Sequence, residues 1–452
     1  MNPYIQTTSE QIEEMLEVAG AASIDALFDD QIPAAFQFKE SHGLPPALSE
    51  PEILSELGAV AGRNLTTQTA VSFLGGGIYD HFVPSAIMHV ANRSEYVTGY
   101  TPYQPEASQG LLQAFFEYQT LVGRLFDMPV SNASLYDGAS ALGEALFMAL
   151  GIRADRHKLI LPATLHPEYA ALCRTYLAHY DCTLVTAPMD PATGALDMPA
   201  LAALLDDDTA AVVLQHPNYF GCLEDAREAA RLAHEAGALM VAVVDPVSLG
   251  LLEAPGVYGA DIAVAEGQGL GLYQYAGGES LGMFTCAREF MRKVPGRLVG
   301  TAQDKEDRRG FVLTLQTREQ HIRRDKATSN ICTNHAHNAL RATIHLCLMG
   351  PRGMERVSRA CVRGASRLKA ALEAIKPGCV PFSAPVFKEF VVKTATPAAE
   401  VRDRLLARGF MAGIPLSETM PGANAHHLLV AVTEKRTDRE IDAFAEALGA
   451  CL

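Results

Sequence analysis

The chain has 452 residues, 48% of them hydrophobic and 20% charged, and a formal net charge of −15. That length exceeds one small core and implies a larger and a smaller domain. The acidic balance argues against nucleic acid and anionic membrane, which need clustered Lys and Arg, and no apolar run approaches the roughly 20 residues that span a bilayer.

Taken in chain order, Thr8-Ser9-Glu10-Gln11 is a capping box, followed on one helical face by Ile12, Met15, Leu16 and Ala19. Residues 1–70 read as a helical arm broken at Pro33, Pro45-Pro46 and Pro51, either a lid or a dimerisation element. Leu74-Gly75-Gly76-Gly77 marks a turn before Tyr79-Asp80-His81. Two prolines stiffen the segment carrying Tyr96, Tyr100, Tyr103 and Gln104, so its aromatics suit a site wall, a subunit interface or plain surface packing.

From about residue 130 the pattern alternates. Apolar runs at 158–161, 183–186, 211–214, 239–244 and 262–265 read as strands buried on both faces. Helical patterns lie between them, such as Met198–Leu205 and Ala226–Ala236, the latter closed by Gly237. This spacing predicts an α/β domain with a mostly parallel sheet, whose ligands gather at the carboxyl ends of the strands. A long helix is expected to start near Ser329 or Thr333. Helices over 354–375, 397–408 and 438–448 then alternate with strands over 389–393 and 428–432. The resulting expectation is an arm (1–70), a large α/β domain (71–345) and a small C-terminal α+β domain (346–452).

Nine cysteines without Cys-x-x-Cys spacing, and a start lacking a basic-then-apolar segment, predict reduced thiols in a cytoplasmic protein with no metal framework.

Several constellations bear on chemistry. Ser134 to Ala141, with Ser140, leads into an Ala-rich helix whose start suits either a phosphate or an ordinary N-cap. Asp245 ends an apolar run, where it could hold a pyridine nitrogen protonated or cap the next turn. His216 ends the preceding run. Arg323, Arg324 and Lys326 stand beside Thr328, Ser329 and Asn330, either as an anion-binding cluster or as a solvated helix start. His335 and His337 diverge on a helix and read as structural. An amine is needed for a covalent pyridoxal site, yet no lysine lies between Lys158 and Lys293. Sixteen residues after Asp261 comes the loop glycine pair Gly277-Gly278, and the stretch before it reads Ala265-Glu266-Gly267-Gln268. The expectation is a cleft without its amine.

Long blocks of this chain resemble one family. They are Phe73 to His81, Tyr100 to Glu106 with Ser108-Gln109-Gly110, Asn132 to Gly138, Asp245 to Leu252, Ala265 to Gln268, Pro295 to Gly300 and Gln316 to Thr333. Together they resemble the glycine decarboxylase P protein of the glycine cleavage system, and more narrowly the alpha chain (subunit 1) of its two-chain form. The resemblance implies an aspartate-aminotransferase-type fold, that of type I pyridoxal-phosphate enzymes. It also implies an alpha2beta2 heterotetramer in which the beta subunit carries the lysine and the pyridoxal phosphate. In that family glycine is decarboxylated and the aminomethyl group passes to the lipoyl arm of H protein. By the same resemblance, Tyr79, His81, Tyr100, Tyr103, Gln104, Thr328, Ser329 and Asn330 would border the beta-chain site. Asp245, Ser140, His216 and Gln268 would line a vestigial cofactor cleft.

Overall fold

A computed structural model describes residues 4–38, 43–97, 101–275 and 279–452. By its internal contacts the chain forms two units, residues 1–65 and 66–452. The first contains the helices Ser9–Ala19, Ile24–Gln31 and Glu50–Ala61, none of which buries a side chain. The capping box forms: Gln11 N donates to Thr8 Oγ1 (3.3 Å) and Thr8 N to Gln11 Oε1 (2.9 Å). Pro51 does not break a helix as expected but opens one. In the first turn its missing N–H would have had no partner anyway.

In the second unit the strands, in chain order, are β1 (Val71–Ser72), β2 (Val130–Ser131), β3 (Lys158–Pro162), β4 (Thr183–Ala187), β5 (Thr209–His216), β6 (Leu239–Val244) and β7 (Ile262–Glu266). They continue with β8 (Gly282–Cys286), β9 (Leu298–Gln303), β10 (Arg309–Thr314), β11 (Glu389–Lys393), β12 (Phe410–Met411), β13 (Ile414–Pro415) and β14 (His427–Ala431). The main sheet has the order β2-β8-β7-β6-β5-β3-β4. Strands β3 to β7 pair in parallel, while β8 runs antiparallel to β7 and β2.

The near-continuous apolar runs of β3, β5, β6 and β7 follow from burial on both faces; β4, expected to be buried likewise, lies at the sheet edge with Thr183 and Thr186 exposed. On one side Val212, Leu214, Met240 and Ala242 pack with side chains of the helices Gln109–Phe126, Ala226–Glu235 and Ala336–Ile375. On the other, Ala211, Val213, Leu239 and Val241 meet the helices Gly138–Ile152 and Pro167–Leu177. The long helix starts at Ala336, later than expected, and is interrupted at Gly350 (φ +57°) before Pro351. The delay has a cause in the preceding bonds. Asn334 Nδ2 donates to Ala133 O (2.7 Å), and Arg297 holds the Cys332 carbonyl, so this stretch is committed elsewhere.

C-terminal to that helix, β11, β14 and β13 form an antiparallel sheet backed by the helix Asp438–Gly449. Strand β1 pairs in parallel with β12, so residues 71–72 join this C-terminal layer. Among the described residues, no helix is long and apolar enough to cross a membrane.

Candidate functional site

The parallel strands deliver Asp245 and Glu266 to their carboxyl ends, and the start of β11 brings Lys388 and Glu389 across to meet them. These residues, with Tyr79, His166 and Tyr169, surround a cavity of about 50 Å³. Small-molecule sites commonly occupy roughly 300–1,000 Å³. This one is small around Asp245 and Lys388, and beside it a more open pocket of about 370 Å³ is lined by Gly76, Asp137, Ala139, His166 and Glu266.

Lys388 is 2% exposed. Its Nζ lies 2.7 Å from Asp245 Oδ2, 2.9 Å from His81 Nε2 and 3.5 Å from the centre of the Tyr79 ring. The second oxygen of Asp245 accepts from Val247 N at 3.0 Å. Carboxylate, imidazole and aromatic face together replace the ammonium's lost water shell, which a buried charge requires. Beyond it, His81 Nδ1 meets Glu434 Oε2 at 2.7 Å, and Phe82 N donates to Glu434 Oε1 at 2.7 Å. Burial pushes the Glu434 carboxyl up, but His81 and the Phe82 N–H outweigh it and bring it down to about 2. The neighbouring Glu389 accepts from Gly76 N (2.7 Å) and Tyr79 OH (2.8 Å), yet burial still pushes it up to about 7. His81, Cys361 and Glu434 bring three potential metal donors within 4.8 Å of one another. The Lys388 ammonium on the other His81 nitrogen opposes a cation there.

The other end of the cleft is the start of the helix Gly138–Ile152, where backbone N–H groups and the helix dipole favour an anion. A carboxylate already occupies it. Gly138 N donates to Glu266 Oε2 (3.0 Å), and Glu266 Oε1 accepts from Leu281 N (2.8 Å) and Gln268 N (3.0 Å). Burial pushes Glu266 up to about 8 against the pull of those three donors. Asp137 adds a second carboxylate, accepting from Ser140 N at 2.7 Å. Residue 138 must be glycine-sized, since a Cβ there would come within 2.8 Å of Glu266 N.

The other expected cleft residues serve the scaffold. Ser140 Oγ donates to Asp137 O at 3.1 Å. Gln268 accepts from Tyr79 N and donates to Leu272 O, both at 3.0 Å. His216 Nδ1 accepts from Glu224 N at 3.0 Å, and burial takes its pKa down to about 4. Tyr79 and His81 are engaged inside this chain's own cleft. Tyr103 is exposed, with its ring 6.2 Å from that of His321 and under the Arg297 guanidinium. Gln104, Thr328 and Asn330 are exposed, while Ser329 is partly buried and its Oγ accepts from Ile331 N at 3.1 Å. Tyr100 and the Gly277-Gly278 pair lie outside the described residues.

The expectation of a cleft without an amine is therefore corrected: an amine is present, supplied by Lys388. Sequence reasoning missed it because it comes from the lead-in to β11, far outside the stretch between Lys158 and Lys293. The available signal was a Lys-Glu pair set between Phe387 and Phe390, a charged dipeptide opening an apolar strand. Lys293, by contrast, is exposed and donates to Gly151 O at the far end of the helix Gly138–Ile152. Lys326 is exposed.

A family model described as Glycine cleavage system P-protein matches residues 2–448. A protein of Chlorobium phaeobacteroides called "Probable glycine dehydrogenase (decarboxylating) subunit 1" is 50% identical over 449 residues, covering 99% of both chains. A Geobacillus kaustophilus protein of the same description is 46% identical over 450 residues, again covering 99% of each. Among solved structures, an inhibitor-bound glycine decarboxylase (P-protein) of the glycine cleavage system superposes with a TM-score of 0.90 at 42% identity, covering 99% of this chain and 100% of that one. A sphingosine-1-phosphate lyase of Burkholderia pseudomallei, with a TM-score of 0.65 at 16% identity and coverage of 93% and 94%, shares the fold. That fold is the type I architecture of pyridoxal-phosphate-dependent enzymes. On the full-length match and these identities, the chain belongs to the glycine cleavage system P-protein family.

Proposed function

We propose that this chain is the alpha subunit of a two-chain glycine decarboxylase, one that acts only with a beta subunit bearing the cofactor lysine and pyridoxal phosphate. The assembly is an alpha2beta2 heterotetramer that delivers the aminomethyl group to lipoyl H protein. The observation that carries this reading is the Lys388 ammonium on Asp245 in a cavity of about 50 Å³. The residues present do not fit pyridoxal phosphate. Asp245, placed to hold a ring nitrogen, is neutralised by Lys388, and the start of the helix Gly138–Ile152 is held by Glu266. Nor can Lys388 stand in as the aldimine lysine. On a pyridine ring the nitrogen and the aldehyde-bearing carbon lie opposite each other, so an amine bound to the nitrogen's carboxylate is at the wrong end.

This chain's contribution is then positional. Exposed Tyr103, Gln104, Thr328 and Asn330, with Ser329 and Tyr100, form a wall for the partner's site, while Tyr79 and His81 hold Lys388 in place. Residues 71–345 and 346–452 act as the large and small domains. The apolar helices of residues 1–65 supply the arm by which the subunits clasp, since exposed apolar surface of this extent marks an interaction site.

The test is glycine–bicarbonate exchange. The chain alone is expected to be inactive, and addition of the beta subunit to restore exchange; release of CO2 from glycine by the single chain would refute the reading. In the reconstituted complex Tyr103→Ala is expected to lower kcat/KM by about tenfold, equivalent to ~1.4 kcal/mol of transition-state binding. Unchanged turnover would support instead the reading of a non-catalytic structural or regulatory partner.

A further inference from the structure

The filled cleft holds a cation and a carboxyl group in particular places. The cation lies on Asp245, at the end of β6. The Glu266 carboxyl lies against Gly138 N at the start of a 15-residue helix, where its oxygens also accept from Leu281 N and Gln268 N. A pyridine phosphate offers the same pair of chemistries, a protonated nitrogen for a carboxylate and an anionic group for a helix start.

We propose that Lys388 and Glu266 are built-in substitutes for a bound pyridine phosphate, keeping this subunit permanently in a ligand-filled state and barring phosphate ligands from its cleft. The substitution also ties layers together. Lys388 and Glu389 precede and open a strand of the C-terminal sheet, whereas Asp245 and Glu266 belong to the central one. Lys435 and Arg436, which follow Glu434, bond the two oxygens of Asp80, at 2.6 and 2.9 Å. A cleft whose closure requires a ligand would open when empty. Here the contacts that a ligand would supply come from the chain itself.

An incoming phosphate is barred because Glu266 occupies the donors it would need, while the neighbouring Asp137 is committed to capping Ser140 N. The cation that could attract it is spent on Asp245 and His81. Removing Glu266 frees Gly138 N, Leu281 N and Gln268 N. Removing Lys388 frees the carboxylate of Asp245.

This inference rests on the proposed function only for its choice of probe, so a failure of glycine exchange with the partner would leave it standing. The experiment is calorimetric titration of the full chain with 4′-deoxypyridoxine phosphate, which lacks the aldehyde and cannot label surface lysines, and with inorganic phosphate. The wild-type chain is expected to show no saturable binding of either up to about 1 mM, the weak end of measurable affinity. Lys388→Ala/Glu266→Ala is expected to bind the pyridine phosphate at least about tenfold more tightly than that limit. Glu266→Ala alone, which keeps the Lys388 ion pair, is expected to bind inorganic phosphate, and it decides the matter if the double variant does not fold. Saturable binding of either probe by the wild-type chain would overturn the proposal. So would failure of Glu266→Ala, folded as judged by circular dichroism, to bind phosphate.

Discussion

Lys388 shows how a single side chain can close a site. Its ammonium is buried, and each of its neighbours would be left uncompensated by its loss: Asp245 at 2.7 Å and His81 at 2.9 Å. Breaking a buried pair from one side costs about 3–5 kcal/mol, because the remaining charge regains little of its hydration; Asp245, whose side chain is 17% exposed, puts the cost toward the lower end. Lys388→Ala is therefore expected to lower the free energy of unfolding by an amount in that range, read from the midpoint of a urea transition. Asp245→Asn combined with Lys388→Met removes both charges and keeps the volume. It is expected to cost less than Lys388→Ala, since a pair replaced as a whole leaves no orphan. A double variant as unstable as the alanine substitution would show that packing, not charge, holds the cleft.

Close backbone approach does comparable work between elements. Gly221 has φ +79°, and a Cβ on it would come within 1.8 Å of the Glu389 carbonyl oxygen. Its bareness lets the turn after β5 lie against β11, which brings Lys388 to Asp245. Gly221→Ala combines left-handed strain with a clash against backbone. It is expected to destabilise the chain by at least about 1–3 kcal/mol, checked by thermal unfolding.

The elements were legible in the sequence to different degrees. The five parallel strands lie where apolar runs placed them; burial on both faces writes a continuous signal in β3, β5, β6 and β7, whereas the edge strand β4 is largely exposed or half-buried. Asp137 and Thr437 cap their helices through side-chain bonds, and of the helices expected after residue 350, Asp438–Gly449 begins where it was read. Strands β8, β9 and β10 were not read, since Gly282-Met-Phe-Thr-Cys and the Gly-containing pair around the Asp304–Arg308 turn carry no clear period. At the cleft, Asp245, Glu266 and Gln268 were visible as strand-end residues. Lys388, which pairs with Asp245, was not, nor were Glu389 and Glu434, which bond Tyr79 and His81, because these contacts span more than a hundred residues and only the fold brings them together.

At the scale of the whole molecule, the buried carboxyls set how stability depends on pH. Glu266 and Glu389 are pushed up to about 8 and about 7, above the ordinary 4.5. The folded state thus holds protons that the unfolded chain releases between those values. Their contribution is full below about 4.5 and is lost as pH rises through 7 to 8. Glu434 acts oppositely: it is brought down to about 2, so its contribution is present above 4.5 and lost as pH falls toward 2. Stability is expected to peak near pH 5 and to decline by pH 8.5 in urea titrations across that range. Glu266→Gln is expected to flatten the alkaline limb, and an unchanged slope in that variant would assign the decline to other groups.

Residues 1–65 also constrain how the protein is produced in a cell. Val18, Phe36, Leu44 and Leu54 stand open to water, on or between helices that bury nothing of their own. Copies made in excess of the proposed beta subunit would therefore circulate with adhesive, easily cleaved segments, inviting chaperones, proteases or aggregation. On the proposed two-chain assembly, balanced synthesis becomes a requirement, and the level of surplus copies should fall with a half-life set by the protease rather than by unfolding of the α/β body.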